Sequence, residues 1–197
     1  MSDVSAKREV ILDVAAGLFA RYGFRKTSVA DIIREAGVAR ATVYKYFSAK
    51  EDIFQAVIRR EIQDVLRRVK EAVEKESTTR DRLRAAVLTH TAEIRKKVNA
   101  YRVTREVLSD VLPRAEKDVE HLVQDGLKVY RWILTEGVKA GEIAVDDVET
   151  TAWSILLVFK GVFMTTATGH IEERMVGVID ALLDILWLGL KPREEAS

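Results

Sequence analysis

The chain has no cysteine among its 197 residues, which excludes disulfide frameworks, thiolate zinc sites and cysteine nucleophiles. It has only two prolines, Pro113 and Pro192, while apolar residues recur at helical spacing almost throughout, and both facts point to an all-α protein. The three histidines, His90, His121 and His170, lie far apart and no close carboxylate spacing joins them, so no metal site is expected. Long apolar runs are also lacking. Stretch 153–164 is broken by Lys160 and stretch 175–190 by Asp180 and Asp184, and both fall short of the roughly 18 residues a membrane span needs. The apolar segment after Lys7 and Arg8 contains Asp13 and runs directly into Arg21, which makes it an amphipathic helix instead of a secretory signal. A cytoplasmic protein without membrane contact is therefore expected. No glycine-rich phosphate loop, nucleophile elbow or catalytic acid pair is present, so neither catalytic residues, nor a cofactor, nor enzymatic activity is expected.

What is present is a basic head on an acidic body. The net charge is only +1, yet residues 1–50 hold nine Lys/Arg against five Asp/Glu, and the remainder holds 23 against 26. Such an asymmetry is what a chain needs when one end meets a polyanion. With 48% hydrophobic and 32% charged residues the chain is otherwise an ordinary globular one.

Periodicity predicts about nine helices. The stripe Ile11, Val14, Ala15, Leu18, Phe19, Tyr22 marks a first helix over 5–22, closed by Gly23. Thr27 or Ser28 caps a short second helix with Val29, Ile32, Ile33 and Ala36 inward, and Gly37 ends it. A third helix over 39–47 follows at once, and two short helices around a tight glycine turn are the sequence form of a helix-turn-helix. Ser48 and Glu51 suggest a capping box that opens a long fourth helix over 49–75. Further helices are expected over 79–98, up to 109, from Pro113 to 140, over 147–168 and over 171–190. The corresponding division is a DNA-binding head of residues 1–48, a helical body of 49–191 and a flexible tail of 192–197.

On the third helix Ala39, Val43 and Phe47 share one face, which should pack inward. The displaced face carries Arg40, Ala41, Tyr44 and Lys45, with Thr42 and Tyr46 at its edges. Donors, aromatic hydroxyls and one small residue suit a helix entering a major groove about 12 Å wide. Arg40 reads a guanine or binds a phosphate; the sequence does not separate the two. Lys50, with the free N–H groups of its helix, makes a phosphate clamp, and Thr27 and Ser28 do the same at the start of the second helix.

Gly23, Thr27-Ser28-Val29, Ile32, the Ala36-Gly37-Val38 turn, Ala41-Thr42-Val43-Tyr44-Lys45-Tyr46-Phe47 and Ser48-Ala49-Lys50-Glu51 occur in an order that closely resembles the DNA-binding domain of the TetR/AcrR regulators. The resemblance covers about the first quarter of the chain. It implies a one-component transcriptional repressor acting as a homodimer on a pseudo-palindromic operator in double-stranded DNA. It also places Thr27, Arg40, Thr42, Tyr44, Lys45, Tyr46 and Lys50 at DNA-contacting positions. Ala41 stands where the family often has glycine, so the backbone approaches DNA less closely there.

The last two helices are apolar nearly all round. Ala152, Ile155, Leu156, Phe159 and Phe163 lie on one side of the first, and Trp153, Leu157, Val158 and Val162 on another. In the second, Ile179, Leu182, Leu183 and Leu186 oppose Val178, Ala181, Ile185 and Leu188. One chain covers one face of each, and a homodimer covers the other. The resemblance further implies a small-molecule effector in the body. His90, Ile94, Tyr101, Arg105, Leu122, Tyr130, Phe159 and Phe163 are candidate lining residues for a hydrophobic or amphipathic ligand. Two alternatives remain at this stage: a body that binds a protein partner, and a helical small-molecule carrier that does not bind DNA.

Overall fold

The computed structural model describes residues 3–101, 105–166 and 175–190. They form eight helices and no strand: α1 (Asp3–Tyr22), α2 (Val29–Ala36), α3 (Arg40–Tyr46), α4 (Lys50–Val73), α5 (Thr79–Ala100), α6 (Arg105–Lys139), α7 (Val148–Thr166) and α8 (Met175–Leu190). The expected break before Pro113 is absent. α6 runs through that proline as one helix of 35 residues, roughly 50 Å long. A single proline removes one intrahelical hydrogen bond and crowds one carbonyl, a local cost of about 3 kcal/mol that the packing of a long helix can offset. The two expected helices on either side of Ser109 are therefore one. Residues 167–174, where the last helix was expected to begin, and the tail 192–197 lie outside the described residues.

The chain divides into two compact units, one of Met1–Gln63 with Lys96–His121 and the other of Asp64–Arg95 with Leu122–Ser197. In the first, Ile11, Leu12, Ala15 and Phe19 of α1 meet Ile32 of α2, Val43 of α3 and Ile53, Phe54 and Val57 of α4 in a core closed to solvent. Three rings form its centre. Phe54 stands edge-on to Phe19 with centroids 5.1 Å apart and lies 4.8 Å from Phe24. Arg60 on α4 reaches back to the Asp13 carboxylate at 2.6 Å and so fastens α4 to α1.

The second unit is built on Val65, Val69 and Val73 of α4, Leu83 and Val87 of α5, Leu127, Tyr130, Ile133 and Leu134 of α6, Ala152, Ile155 and Phe159 of α7, and Ile179 and Leu183 of α8. α8 is oriented by charge as well as by packing. Arg84 forks onto the Asp180 carboxylate at 2.7 and 3.1 Å, and Arg80 pairs with Asp184 one turn on. The two aspartates that keep this stretch from reading as a membrane span thus hold it against α5. No helix among the described residues is long and apolar enough to cross a membrane.

One corner of this unit leaves no spare volume. The Glu142 carboxylate accepts from the Thr79 backbone N–H at 2.7 Å, which caps α5 from the loop after α6. The Thr79 hydroxyl is buried without a hydrogen-bond partner, and a Cβ placed on Gly137 would lie 2.5 Å from it and 2.7 Å from Thr79 Cγ2. Gly137→Ala is therefore expected to destabilise the protein by about 1–3 kcal/mol through overpacking. Urea unfolding of the two proteins, with an unchanged slope and a lowered midpoint, is the check.

Candidate nucleic-acid interface

Two left-handed glycines set the angles of the first three helices. Gly23, at φ 83°, ends α1 with its N–H on the Phe19 carbonyl at 2.8 Å, and Gly37, at φ 64°, ends α2. Only glycine takes that conformation without steric cost. Between them Ser28 is the N-cap of α2. Its hydroxyl accepts from the Asp31 N–H at 3.1 Å, and the Asp31 carboxylate accepts from the Ser28 N–H at 3.1 Å. Ser28, followed three residues later by Asp31, was the sequence signal that separates the two neighbouring hydroxyls.

Thr27 has a different task from the expected phosphate contact. It is 2% exposed, and its hydroxyl lies 2.9 Å from the Gly23 carbonyl and 3.3 Å from that of Leu18. Its hydroxyl donor is spent on holding the turn after α1. Thr27→Val, which keeps the shape and removes the hydroxyl, is expected to lower stability by about 1–3 kcal/mol. The salt dependence of DNA binding by the folded variant should be unchanged, and a shift in that slope would show that Thr27 touches a phosphate after all.

α3 presents the expected faces with one change. Val43 and Phe47 are buried against α1, α2 and α4, whereas Ala39 is exposed and acts as the N-cap, without a side-chain hydrogen bond. Arg40, Ala41, Tyr44 and Lys45 are exposed, and Thr42 and Tyr46 are half-buried at the edges. The Arg40 guanidinium lies over the Tyr44 ring, 5.3 Å from its centroid. No acidic residue occurs on α3, so its own exposed side chains make a basic and aromatic face.

The start of α4 differs in detail from expectation. The Asp52 carboxylate, not Glu51, accepts from the Ser48 and Ala49 N–H groups, both at 3.0 Å. Lys50 donates to the Phe24 carbonyl at 2.9 Å and sits 4.2 Å above the Phe24 ring. It thereby pins α4 to the turn after α1, a structural duty the sequence did not reveal. An ammonium has three donors, so two remain for a phosphate.

The expected effector residues fall in different places. Tyr130 and Phe159 are buried in the core of the second unit, and Ile94 packs against it. His90 on α5 is half-buried, and desolvation holds its imidazole below the usual histidine range. Burial likewise pushes the Tyr130 hydroxyl well above the usual phenol range. Tyr101 belongs elsewhere: it packs into the core of the first unit, and its hydroxyl donates to Glu61 Oε1 at 2.8 Å. It is a tie within the first unit. The side chains of Arg105, Leu122, Val162 and Phe163 lie outside the described residues. No group of three metal-ligating side chains occurs among the described residues.

On α7 and α8 the two apolar faces separate as the pattern implied. Ile155, Phe159, Ile179 and Leu183 are inside, while Leu157 is 57%, Ile185 67% and Leu188 76% exposed. Val158, Val178 and Ala181 are exposed beside them, and Trp153 is half-buried.

Residues 11–57, the segment that carries this helix-turn-helix, match the family described as bacterial regulatory proteins, tetR family. Residues 76–164 match the tetracyclin repressor-like C-terminal domain, so the two matches together span more than two thirds of the chain. The chain belongs to the TetR family. It is 25% identical over 181 residues to the fatty acid metabolism regulator protein of Bacillus subtilis, covering 91% of this chain and 93% of that one. It is 29% identical over 190 residues to the transcriptional repressor KstR2 of Rhodococcus jostii, covering 92% and 93%. Among solved structures, FadR of Bacillus subtilis in complex with stearoyl-CoA has the same fold at a TM-score of 0.69 and 23% identity, covering 92% of this chain and 98% of that one. As a TetR-family protein the chain is a DNA-binding transcriptional regulator and not an enzyme.

Proposed function

We propose that this TetR-family regulator is a repressor that binds a pseudo-palindromic operator as a homodimer and is released by a small amphipathic effector. The observation that carries the DNA-binding half is the exposed face of α3, where Arg40, Tyr44 and Lys45 stand clear of solvent-excluded packing and of any acidic neighbour on the helix. Ser28, Ala41, Thr42, Tyr46 and Lys50 would add further contacts around that face. In this reading residues 1–48 are the reading head, and 49–191 hold the effector and the dimer seam.

The apolar faces of α7 and α8 support the homodimer. Two such faces brought together by a two-fold axis form an isologous four-helix seam. The two α3 helices then enter successive major grooves about 34–36 Å apart. An effector releases DNA only if it binds the DNA-incompetent arrangement more tightly, typically by about 1–3 kcal/mol. The desolvated His90 and the buried Tyr130 and Phe159 suit an apolar ligand with a few polar atoms. The relatives named for fatty acid metabolism and solved with stearoyl-CoA make a long-chain acyl thioester the first ligand to try.

The test is a selection of short genomic fragments on the purified protein at moderate salt, followed by titration of stearoyl-CoA into the resulting complex. A recovered palindrome, with release on titration, supports the whole reading. A palindrome without release leaves a repressor with another effector. Recovery of no motif by a folded protein overturns the DNA-binding reading.

A further inference from the structure

α3 carries two exposed cations, and they are not held alike. Lys45 extends from the last turn of the helix, where a flexible ammonium suits the groove rim. Arg40 is the first residue of α3, and its guanidinium lies over the face of the Tyr44 ring one helical turn on, 5.3 Å from the centroid. The ring is 44% exposed, so Tyr44 is not a core residue that happens to pass beneath an arginine. In the same unit Arg34 and Arg60 are turned toward carboxylates, Arg34 to Asp31 at 2.5 Å and Arg60 to Asp13 at 2.6 Å, whereas Arg21 on α1 also lies over a ring, that of its neighbour Tyr22, at 5.1 Å. No such ion pair holds Arg40 among the described residues.

A guanidinium held over a ring is restrained without spending an N–H on a carboxylate, so its fork of donors stays available. That is the arrangement a bidentate bond to guanine O6 and N7 requires. The N-terminal residues of a recognition helix are also those that reach base edges, whereas a phosphate at the rim accepts a cation in almost any orientation.

We propose that Arg40 reads a guanine in each half-site and that Tyr44 is a positioning residue for it, acting through its ring face and not only through its hydroxyl. This rests on the DNA-binding reading above. It assigns the choice the sequence left open, and it separates two roles for one tyrosine: the hydroxyl anchors the backbone, and the ring fixes specificity.

The test uses the full chain and the operator recovered by fragment selection. Binding is measured by fluorescence anisotropy at one fixed salt concentration, on the operator and on variants with each base pair of the half-site replaced in turn. Wild type should prefer a G·C pair at one position by roughly ten-fold or more, and Arg40→Ala should abolish the preference at that position alone. Tyr44→Leu should narrow the same preference by roughly two- to five-fold, the worth of an exposed cation–π contact. Tyr44→Phe should keep the preference while weakening all operators equally.

Equal weakening of every operator by Arg40→Ala would make Arg40 a phosphate contact and overturn the proposal. So would identical preferences in Tyr44→Leu and wild type, or a loss of preference in Tyr44→Phe equal to that in Tyr44→Leu. Wild type that binds no fragment would instead overturn the parent reading. All of these side chains are exposed, and unchanged helicity and melting temperature in the variants would confirm that folding is not the cause.

Discussion

Ile185→Glu combined with Leu188→Glu is expected to give a folded monomer that has lost operator affinity by about 10²- to 10⁴-fold. The two side chains are 67% and 76% exposed on α8, so the single chain has little to lose by their replacement. Exposed substitutions of this kind usually change stability by no more than about 0.5 kcal/mol. In the proposed dimer the same positions would lie in the seam between protomers. Two carboxylates per protomer would then be buried against an apolar seam, at a desolvation cost of several kcal/mol. The loss of DNA binding follows from geometry. Each head reads only half an operator, and linking two heads raises the overall affinity by an effective-concentration factor of about 10²–10⁴. Sedimentation velocity and operator titration on the same preparation give both quantities. A dimer that persists in the double variant would place the seam elsewhere, and a monomer that still binds tightly would remove the need for two heads.

The two apolar faces of α7 and α8, one buried and one exposed, were among the more legible features of the sequence. Ile179 and Leu183 inside, with Ile185 and Leu188 outside, follow from a period of 3.6 residues and nothing else. The buried stripes of α1 and α2 were legible for the same reason. What periodicity could not resolve was which of several equivalent groups takes a task. Thr27 and Ser28 are adjacent hydroxyls, and only Ser28 stands three residues before an acid that can close a capping box. Glu51 and Asp52 are adjacent acids, and it is Asp52 that reaches the Ser48 and Ala49 N–H groups. Lys50 looked free because its acceptor, the Phe24 carbonyl, lies 26 residues earlier. Tyr101 is a stronger case. From sequence it sits among candidate effector residues, yet its ring belongs to the core formed by α1 to α4, and no local pattern announces a contact with Glu61 forty residues away. Pro113 misled in the opposite sense, since a local helix breaker was overridden by the 35-residue helix around it.

Arg40→Ala together with Lys45→Ala is expected to reduce operator binding by at least about 10³-fold at 0.15 M salt while the protein keeps its dimer and its melting temperature. The second half of that statement comes from the head's construction. Val43 and Phe47 hold α3 in place from its buried face, and Arg40 and Lys45 contribute nothing to that core. Lys50→Ala would be a poorer choice, because it removes the contact with the Phe24 carbonyl and ring and so loosens α4 as well as the interface. The first half is electrostatic. A dimer would lose four cations from its reading surface. If Lys45 binds a phosphate in each half-site, its loss alone should lower the slope of log affinity against log salt by about 1.8, at about 0.9 per phosphate contact. Arg40 contributes differently, because loss of a bidentate guanine contact costs about 1–3 kcal/mol per half-site and falls on one base pair. The single variants therefore separate what the double variant combines. Lys45→Ala should change the salt slope and leave the sequence preference, and Arg40→Ala should remove the preference at one base pair. If both singles change the slope alike and neither changes the preference, α3 binds DNA only through its backbone, and the specificity of this regulator must come from DNA shape instead of base contacts.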